Sequence, residues 1–236
     1  MNNKKRLSIA LTTGEKWLGW LYLSIYLAFL SVILVAAFEL LGWDMESTLG
    51  KARLNGVFFL VNFLAAVLIF HKLLWKNFRN IGKRFWGFVQ AVILGFVMYY
   101  AGLYLINLLL KLVAPDMSNL NDESIVTLFR ASKWIMLPGT VLLAPVAEEC
   151  FVRGLVFGGL HRRSRILAYI ASTLLFSFMH VGGYIGTAPW WQLGLCFLQY
   201  VPAGIALAWA YEKADSLFAP ILMHCIINAL SLGTLG

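Results

Sequence analysis

Two adjacent carboxylates and an arginine lie inside a long apolar run of this sequence. The run reads Ala144-Pro145-Val146-Ala147-Glu148-Glu149-Cys150-Phe151-Val152-Arg153-Gly154. Ionisable residues within a membrane span cost roughly 2.5–3.5 kcal/mol each even on the mildest insertion scale, and they usually mark functional sites. Glu149 and Arg153 are four residues apart and share a helical face, so they can pair. Glu148 is rotated about 100° from Glu149, so it points elsewhere and can serve another purpose.

Two later apolar runs carry polar side chains at the same helical spacing. His180 follows Phe176 by four residues, and Asn228 follows His224 by four residues. A carboxylate and an imidazole can activate a water molecule, and hydrogen-bond donors can stabilise the oxyanion that hydrolysis forms. One carboxylate and two imidazoles can equally bind zinc, with a fourth position open for water. A single buried ion pair would be weak evidence for function, but such residues on successive spans indicate a functional site.

The composition is that of a membrane protein with several spans. Hydrophobic residues make up 61% of the chain and charged residues 13%, against about 45–50% and about 25% in soluble domains. We therefore predict an all-α transmembrane helical bundle of about seven spans, within a range of six to eight. We expect Pro145 to bend the fourth span, and residues 111–133 to hold a short interfacial helix. The predicted spans are residues 17–43, 54–75, 85–110, 134–160, 166–181, 190–211 and 217–235.

The lysines and arginines are distributed unevenly between the loops. Most lie in the amino-terminal tail, which includes Lys4, Lys5 and Arg6, and in the loops after the second, fourth and sixth predicted spans. This pattern predicts a cytoplasmic amino terminus and an outside carboxyl terminus. Because the basic residues occupy short loops between apolar runs, the net charge of +8 does not indicate nucleic-acid binding. We expect a multi-pass protein of the plasma membrane, and a bacterial one from its small size and lack of organelle-targeting features.

The motifs together resemble the CPBP family of intramembrane proteases, the CAAX-processing and bacteriocin-processing group also called Abi proteins. The family pattern is Glu-Glu-x-x-x-Arg, then Phe-x-x-x-His, then His-x-x-x-Asn or a similar small residue. It is matched here at Glu148–Arg153, Phe176–His180, His224–Asn228, Ala144-Pro145, Gly154 and the run Ser216–Pro220. One departure is Val152, where relatives often carry an aromatic residue. The resemblance covers roughly residues 134–235. It divides the chain into an amino-terminal three-span region, residues 1–133, and a protease core, residues 134–236.

The resemblance implies an intramembrane endopeptidase that cleaves a peptide or a membrane protein with an activated water. The implied site residues are Glu148, Glu149, Arg153, His180, His224 and Asn228. Glu148 and His180 would hold and deprotonate the water, and His224 and Asn228 would donate to the oxyanion. Glu149 and Arg153 would brace the site. We expect no metal cofactor, because there is no His-Glu-x-x-His pair and Asn228 suits an oxyanion donor. Zinc bound by Glu148, His180 and His224 is the alternative.

Two alternatives from other functional classes remain open at this point. A non-catalytic membrane factor, such as an immunity or scaffold protein, could bind a partner peptide through the same cavity. A transporter could use the Glu/His cluster as a proton relay, although no repeated halves are visible in the sequence. The expected partners are the substrate and the lipid bilayer, while prenylation of the substrate and the oligomeric state stay open. From the helical rise we expect a water-filled cavity that extends through the cytoplasmic half of the membrane to the midplane and is reached from that side.

Overall fold

The computed structural model is all-helical and describes residues 7–235. No strand is present in this part of the chain, so the predicted fold class is confirmed. Its ten helices are α1 (Thr13–Ala28), α2 (Leu30–Leu40), α3 (Thr48–Ile69), α4 (His71–Lys83), α5 (Phe85–Val113), α6 (Leu120–Ala131), α7 (Lys133–His161), α8 (Arg165–Val181), α9 (Trp190–Ala214) and α10 (Phe218–Leu235). Within α7, the segments Gly139–Leu143 and Cys150–Phe157 have π-helical hydrogen bonding.

Five of these helices are long and apolar enough to cross a membrane. They are α3, α5, α7, α9 and the helix formed by α8 with the turn that follows it. Helices α1 and α2 together have the length and composition of a sixth span, but they meet at an angle of 61°. The chain is therefore a multi-pass membrane protein. Its described residues hold five candidate spans, or six if the bent pair is counted, against about seven predicted within a range of six to eight. The predicted first span, residues 17–43, is broken near Phe29, and α10, at the predicted seventh span, is apolar but falls just short of the length required of a span.

The second predicted span, residues 54–75, is wrong at both ends. Helix α3 begins at Thr48, where the Ser47 side chain accepts a hydrogen bond from the Gly50 amide at 3.0 Å. It ends at Ile69, and α4 then presents a basic exposed side and buries Leu73 and Asn77 on the other. The apolar residues up to position 75 thus belong to an amphipathic helix. The short helix predicted within residues 111–133 is present as α6.

The connections between the helices define two faces of the bundle. The α4 face carries residues 7–12, α4 and the turns at 162–164 and 215–217. The α6 face carries the turns at 41–47 and 114–119, α6 and residues 182–189. Asp215 holds the α4 face together, because its carboxylate accepts from the Ser8 amide at 2.8 Å and pairs with Arg84 at 3.4 Å. Lys4, Lys5 and Arg6, which supported the predicted orientation, lie outside the described residues.

The amino-terminal and carboxyl-terminal regions share their hydrophobic cores. Phe70 and Leu73 pack with Phe151 and Leu155 of α7 in one buried cluster. In a second cluster, Ala91 of α5 packs with residues of α9 and α10. Small residues at such contacts let helix backbones approach closely. The first region is therefore part of the scaffold that holds α7, α9 and α10 in place.

Candidate active site

Helix α7 changes its hydrogen-bonding pattern on both sides of the acidic pair. Glu148 and Glu149 end the α-helical segment Ala144–Glu149, which lies between the two π-helical segments. Pro145 has no N–H to donate to the preceding turn. The Thr140 carbonyl in that turn accepts instead from Asn228 Nδ2 of α10, at 2.8 Å. The expected disturbance at Pro145 is thus a local change in an otherwise continuous helix, of a kind frequent at functional sites.

Glu149 and Arg153 form a fully buried ion pair, as the spacing predicts. Arg153 donates from Nη1 to Glu149 Oε1 at 2.9 Å, and from Nη2 to the Gly204 carbonyl of α9 at 3.1 Å. The guanidinium lies 4.4 Å from the ring centroid of Phe176 on α8. His224 Nδ1 of α10 is 2.9 Å from the same Glu149 oxygen. This one pair therefore connects the four helices of the carboxyl-terminal region.

Glu148 points away from Arg153 and toward two histidines. Its Oε2 atom lies 3.9 Å from Nε2 of both His180 and His224. That oxygen is buried and has no hydrogen-bond partner among residues 7–235. His180 Nδ1 is 2.8 Å from the Phe176 carbonyl. Because a carbonyl only accepts, this nitrogen carries the proton and Nε2 of the neutral ring carries a lone pair. Glu149 orients His224 in the same way, so three accepting atoms face one another across a gap.

A cavity of about 410 Å³ opens beside Glu148 and His180. Asn228, the predicted oxyanion donor, is half-buried in its wall. One N–H of its amide is used by the Thr140 carbonyl, and the amide group has a second N–H to offer. Of the six predicted site residues, Glu148, His180 and Asn228 line this cavity, while Arg153 and His224 contact the buried Glu149 next to it.

The contribution of α6 and Tyr200 is the part of the site that the sequence did not reveal. The Tyr200 ring stacks on His180, with centroids 4.3 Å apart. Its hydroxyl lies 3.0 Å from both Asp122 Oδ1 and Asn119 Oδ1. Asn119 also caps α6 and donates to Gln199 at 2.8 Å. An N-cap asparagine before an acidic first turn predicts a helix start, but no spacing in the sequence relates it to His180.

Burial raises the pKa of the Asp122 carboxyl above its ordinary value, although the hydrogen bond from Tyr200 acts in the opposite direction. A carboxyl with a raised pKa in the folded state favours folding at low pH, and this contribution is lost as the pH rises through that pKa.

Asp122→Asn keeps the accepting oxygen of the side chain and removes its negative charge. We therefore expect a higher melting temperature than wild type at about pH 8 and an equal one at about pH 4, measured by thermal unfolding in detergent. Glu123→Gln, on the exposed side of α6, should change neither value. A melting temperature of Asp122→Asn that equals wild type at both pH values would contradict the expectation.

The motifs and geometry agree with a comparison against models of known families. Residues 130–230 match the family model described as type II CAAX prenyl endopeptidase Rce1-like. The matched region is similar to the CAAX intramembrane protease family. It agrees with the range of the resemblance, residues 134–235, and contains its three motifs. No curated protein and no solved structure matches the chain.

The Glu148, His180 and His224 side chains also fit a metal ion. One ligand atom from each of Glu148, His180 and His224 lies within 4.8 Å of the others. Tetrahedral zinc with bonds of about 2.1 Å places its ligands about 3.4 Å apart, so the 3.9 Å separations need only a small approach. Both imidazoles are oriented through their second nitrogen, as metal-binding histidines usually are. The donor set is therefore compatible with zinc as well as with water.

Proposed function

We propose that this chain is an intramembrane endopeptidase in which Glu148 is the general base. The observation that carries the proposal is the buried, unpartnered Oε2 of Glu148, which faces Nε2 of His180 and of His224 beside a cavity. Mutually facing acceptors at this distance require a donor or a cation between them. A water molecule satisfies this requirement by donating its two hydrogens to Glu148 and His180. Its oxygen lone pair then remains free to attack a peptide carbonyl.

The reaction follows from these positions. As the water oxygen bonds to the carbonyl carbon, its proton passes to Glu148 and the carbonyl oxygen becomes an oxyanion. The second N–H of Asn228 would donate to that oxyanion, and so would Nε2–H of His224 once that neutral ring has taken up a proton from solvent before the substrate binds. Glu149 stabilises the imidazolium through His224 Nδ1, at 2.9 Å. When the carbon–nitrogen bond breaks, Glu148 returns the proton to the leaving nitrogen, so that no net charge is left on the site.

Zinc is the second candidate for the position between the three side chains. It would be held by Glu148, His180 and His224, and it would supply a bound water of lowered pKa and a Lewis acid. Glu149 orients His224, and Asn228 donates to the oxyanion, in both versions of the mechanism. The two versions differ in their response to a chelator, which would remove zinc and its activity but would leave a metal-free site active.

Cleavage of a mixed peptide library by the purified full-length chain tests the proposal. Wild type is compared with a chelator-treated sample and with a sample treated with chelator and then given zinc. Cleavage that withstands the chelator would support water held by Glu148 and His180. Cleavage lost with chelator and restored by zinc would assign the metal to the site. If folded protein cleaves no peptide under any of the three conditions, the endopeptidase proposal fails and a partner-binding membrane factor takes its place.

A further inference from the structure

A second cavity, of about 350 Å³, lies on the α4 face of the bundle. Its walls come from residues 9–11, the first turns of α1, Leu73 of α4, the end of α7 and Tyr211 of α9. Gly154 and Leu160 both line it, so it extends about 9 Å along the axis of α7. The structure describes all six predicted site residues, and none of them lines this second cavity. It is therefore separate from the candidate active site.

The floor of the second cavity is apolar and its rim is basic. Leu73 and Leu155 are buried in the floor, beside the half-buried Leu160. Three exposed cationic side chains, here called the rim cations, line the same cavity: Lys16, Arg162 and Arg163. An occupant that suits both parts of this cavity must carry a negative charge and an apolar portion.

The acidic side chains of the α4 face are already engaged elsewhere. Glu15 accepts from two backbone amides, at 2.7 Å each. Glu212 pairs with Arg165 at 2.7 Å, and Asp215 pairs with Arg84 at 3.4 Å. The rim cations form no ion pair among residues 7–235, and residues 1–6 contain no acid. Three cations that face one cavity without a counterion repel one another and favour an anion between them.

The second cavity lies at the level of the membrane interface. Trp17 and Trp20 are exposed near the start of α1, and Trp75 is exposed on the amphipathic α4. Tryptophan is enriched where the membrane meets water, and basic amphipathic helices lie in that interface. Because α1 and α4 both line the cavity, it stands where lipid headgroups meet acyl chains. A free phosphate would leave its apolar floor exposed to water, and a lipid without net charge would leave the rim cations uncompensated.

We propose that this second cavity binds one anionic phospholipid. The lipid phosphate contacts the rim cations, and the adjoining acyl chain lies along Trp20 and Leu155. Basic pockets between membrane helices recognise anionic headgroups in this way. Gly154 and Leu155 directly follow Arg153 in the π-helical segment Cys150–Phe157, so the bound lipid stabilises the segment that holds the buried ion pair. The proposal does not rest on the endopeptidase function, because no residue of the candidate active site enters the argument for binding.

Thermal unfolding of the delipidated full-length chain in dodecyl maltoside tests the lipid site. Separate samples receive dioleoyl phosphatidylglycerol, dioleoyl phosphatidylcholine or inorganic phosphate. We expect phosphatidylglycerol to raise the melting temperature by about 4 °C or more at saturation, and the other two to change it by less than about 1 °C. Native mass spectrometry should show one phosphatidylglycerol retained per chain. An equal rise with phosphatidylcholine would overturn the recognition of charge, and an equal rise with inorganic phosphate would overturn the lipid as the occupant.

Two pairs of substitutions separate this cavity from the general positive charge of the α4 face. Arg162→Gln with Arg163→Gln should remove most of the phosphatidylglycerol effect and leave the lipid-free melting temperature unchanged, because both side chains are exposed. Lys76→Gln with Arg79→Gln is the matched control, since it removes two exposed charges of α4 that do not line the cavity. Equal losses in the two pairs would overturn the cavity as the binding site.

A substitution that keeps every charge tests the apolar part of the site. Gly159 lines the cavity, and a Cβ at this position would meet no atom within 4 Å. Gly159→Leu should therefore narrow the cavity without a clash and weaken the phosphatidylglycerol effect, while the lipid-free protein stays as stable as wild type or becomes more stable. A wild-type response to phosphatidylglycerol in both Gly159→Leu and Arg162→Gln with Arg163→Gln would overturn the proposal, and the endopeptidase proposal would stand or fall separately, on peptide cleavage.

Discussion

Glutamine in place of Glu148 is expected to lower kcat by about 10²- to 10⁴-fold, the usual contribution of a positioned general base. The substitution keeps the size of the side chain and an accepting oxygen, so peptide binding should be unchanged. Because the buried Oε2 of Glu148 has no partner among residues 7–235, removal of its charge should also leave the fold equally stable or more stable. Steady-state cleavage of the best library peptide, its binding affinity and thermal unfolding provide the three measurements.

The neighbouring carboxylate is the matched control for Glu148→Gln. Glu149 is fully buried and contacts both Arg153 and His224. Glu149→Gln should therefore lower the melting temperature, while Glu148→Gln should not. If Glu148→Gln destabilised the fold as much as Glu149→Gln and left cleavage unchanged, Glu148 would be a structural residue and another group would have to activate the water.

The polar core of the site could be predicted because helical spacing determines which side chains share a face. The four-residue intervals from Glu149 to Arg153 and from Phe176 to His180 give direct contacts in the structure. The rotation between Glu148 and Glu149 likewise sends them to different partners. These relations depend on one helix at a time, and a single sequence contains them. The helical fold class could also be predicted, because the apolar composition of each span is likewise a property of one segment at a time.

The rest of the site depends on how the helices pack, which local spacing does not determine. The contact between Tyr200 and His180 joins α9 to α8, and the hydrogen bonds to Asp122 add α6. The angle between α1 and α2 arises inside an apolar run that reads as one straight span. Only the assembled bundle shows that segments of α1, α3, α6, α7, α8, α9 and α10 line one cavity.

Methionine in place of Arg153 is expected to reduce the free energy of unfolding by about 3–5 kcal/mol, the usual cost of leaving one member of a buried ion pair without its partner. The side chain is fully buried, and its loss removes the bonds to Glu149 and to the Gly204 carbonyl together with the contact with Phe176. Unfolding in mixed micelles titrated with a denaturing detergent gives the measurement. Arg165→Met is the matched control, because Arg165 also pairs with a glutamate, Glu212, but its side chain is 64% exposed. Exposed pairs contribute only about 0–1 kcal/mol.

The double variant Arg153→Met with Glu149→Gln separates the cost of the orphaned charge from the cost of lost packing. If the uncompensated Glu149 carboxylate is the main penalty, the double variant should be more stable than Arg153→Met alone. Its loss should then be smaller than the sum of the two single losses by about 0.5–3 kcal/mol. Additive losses would assign the effect to the Gly204 and Phe176 contacts. Activity gives an independent reading, since the partner of His224 loses its negative charge in both variants with Glu149→Gln but keeps it in Arg153→Met. Folded Arg153→Met should therefore retain more cleavage than the double variant despite its lower stability. The reverse order would contradict a bracing role of Glu149 toward His224.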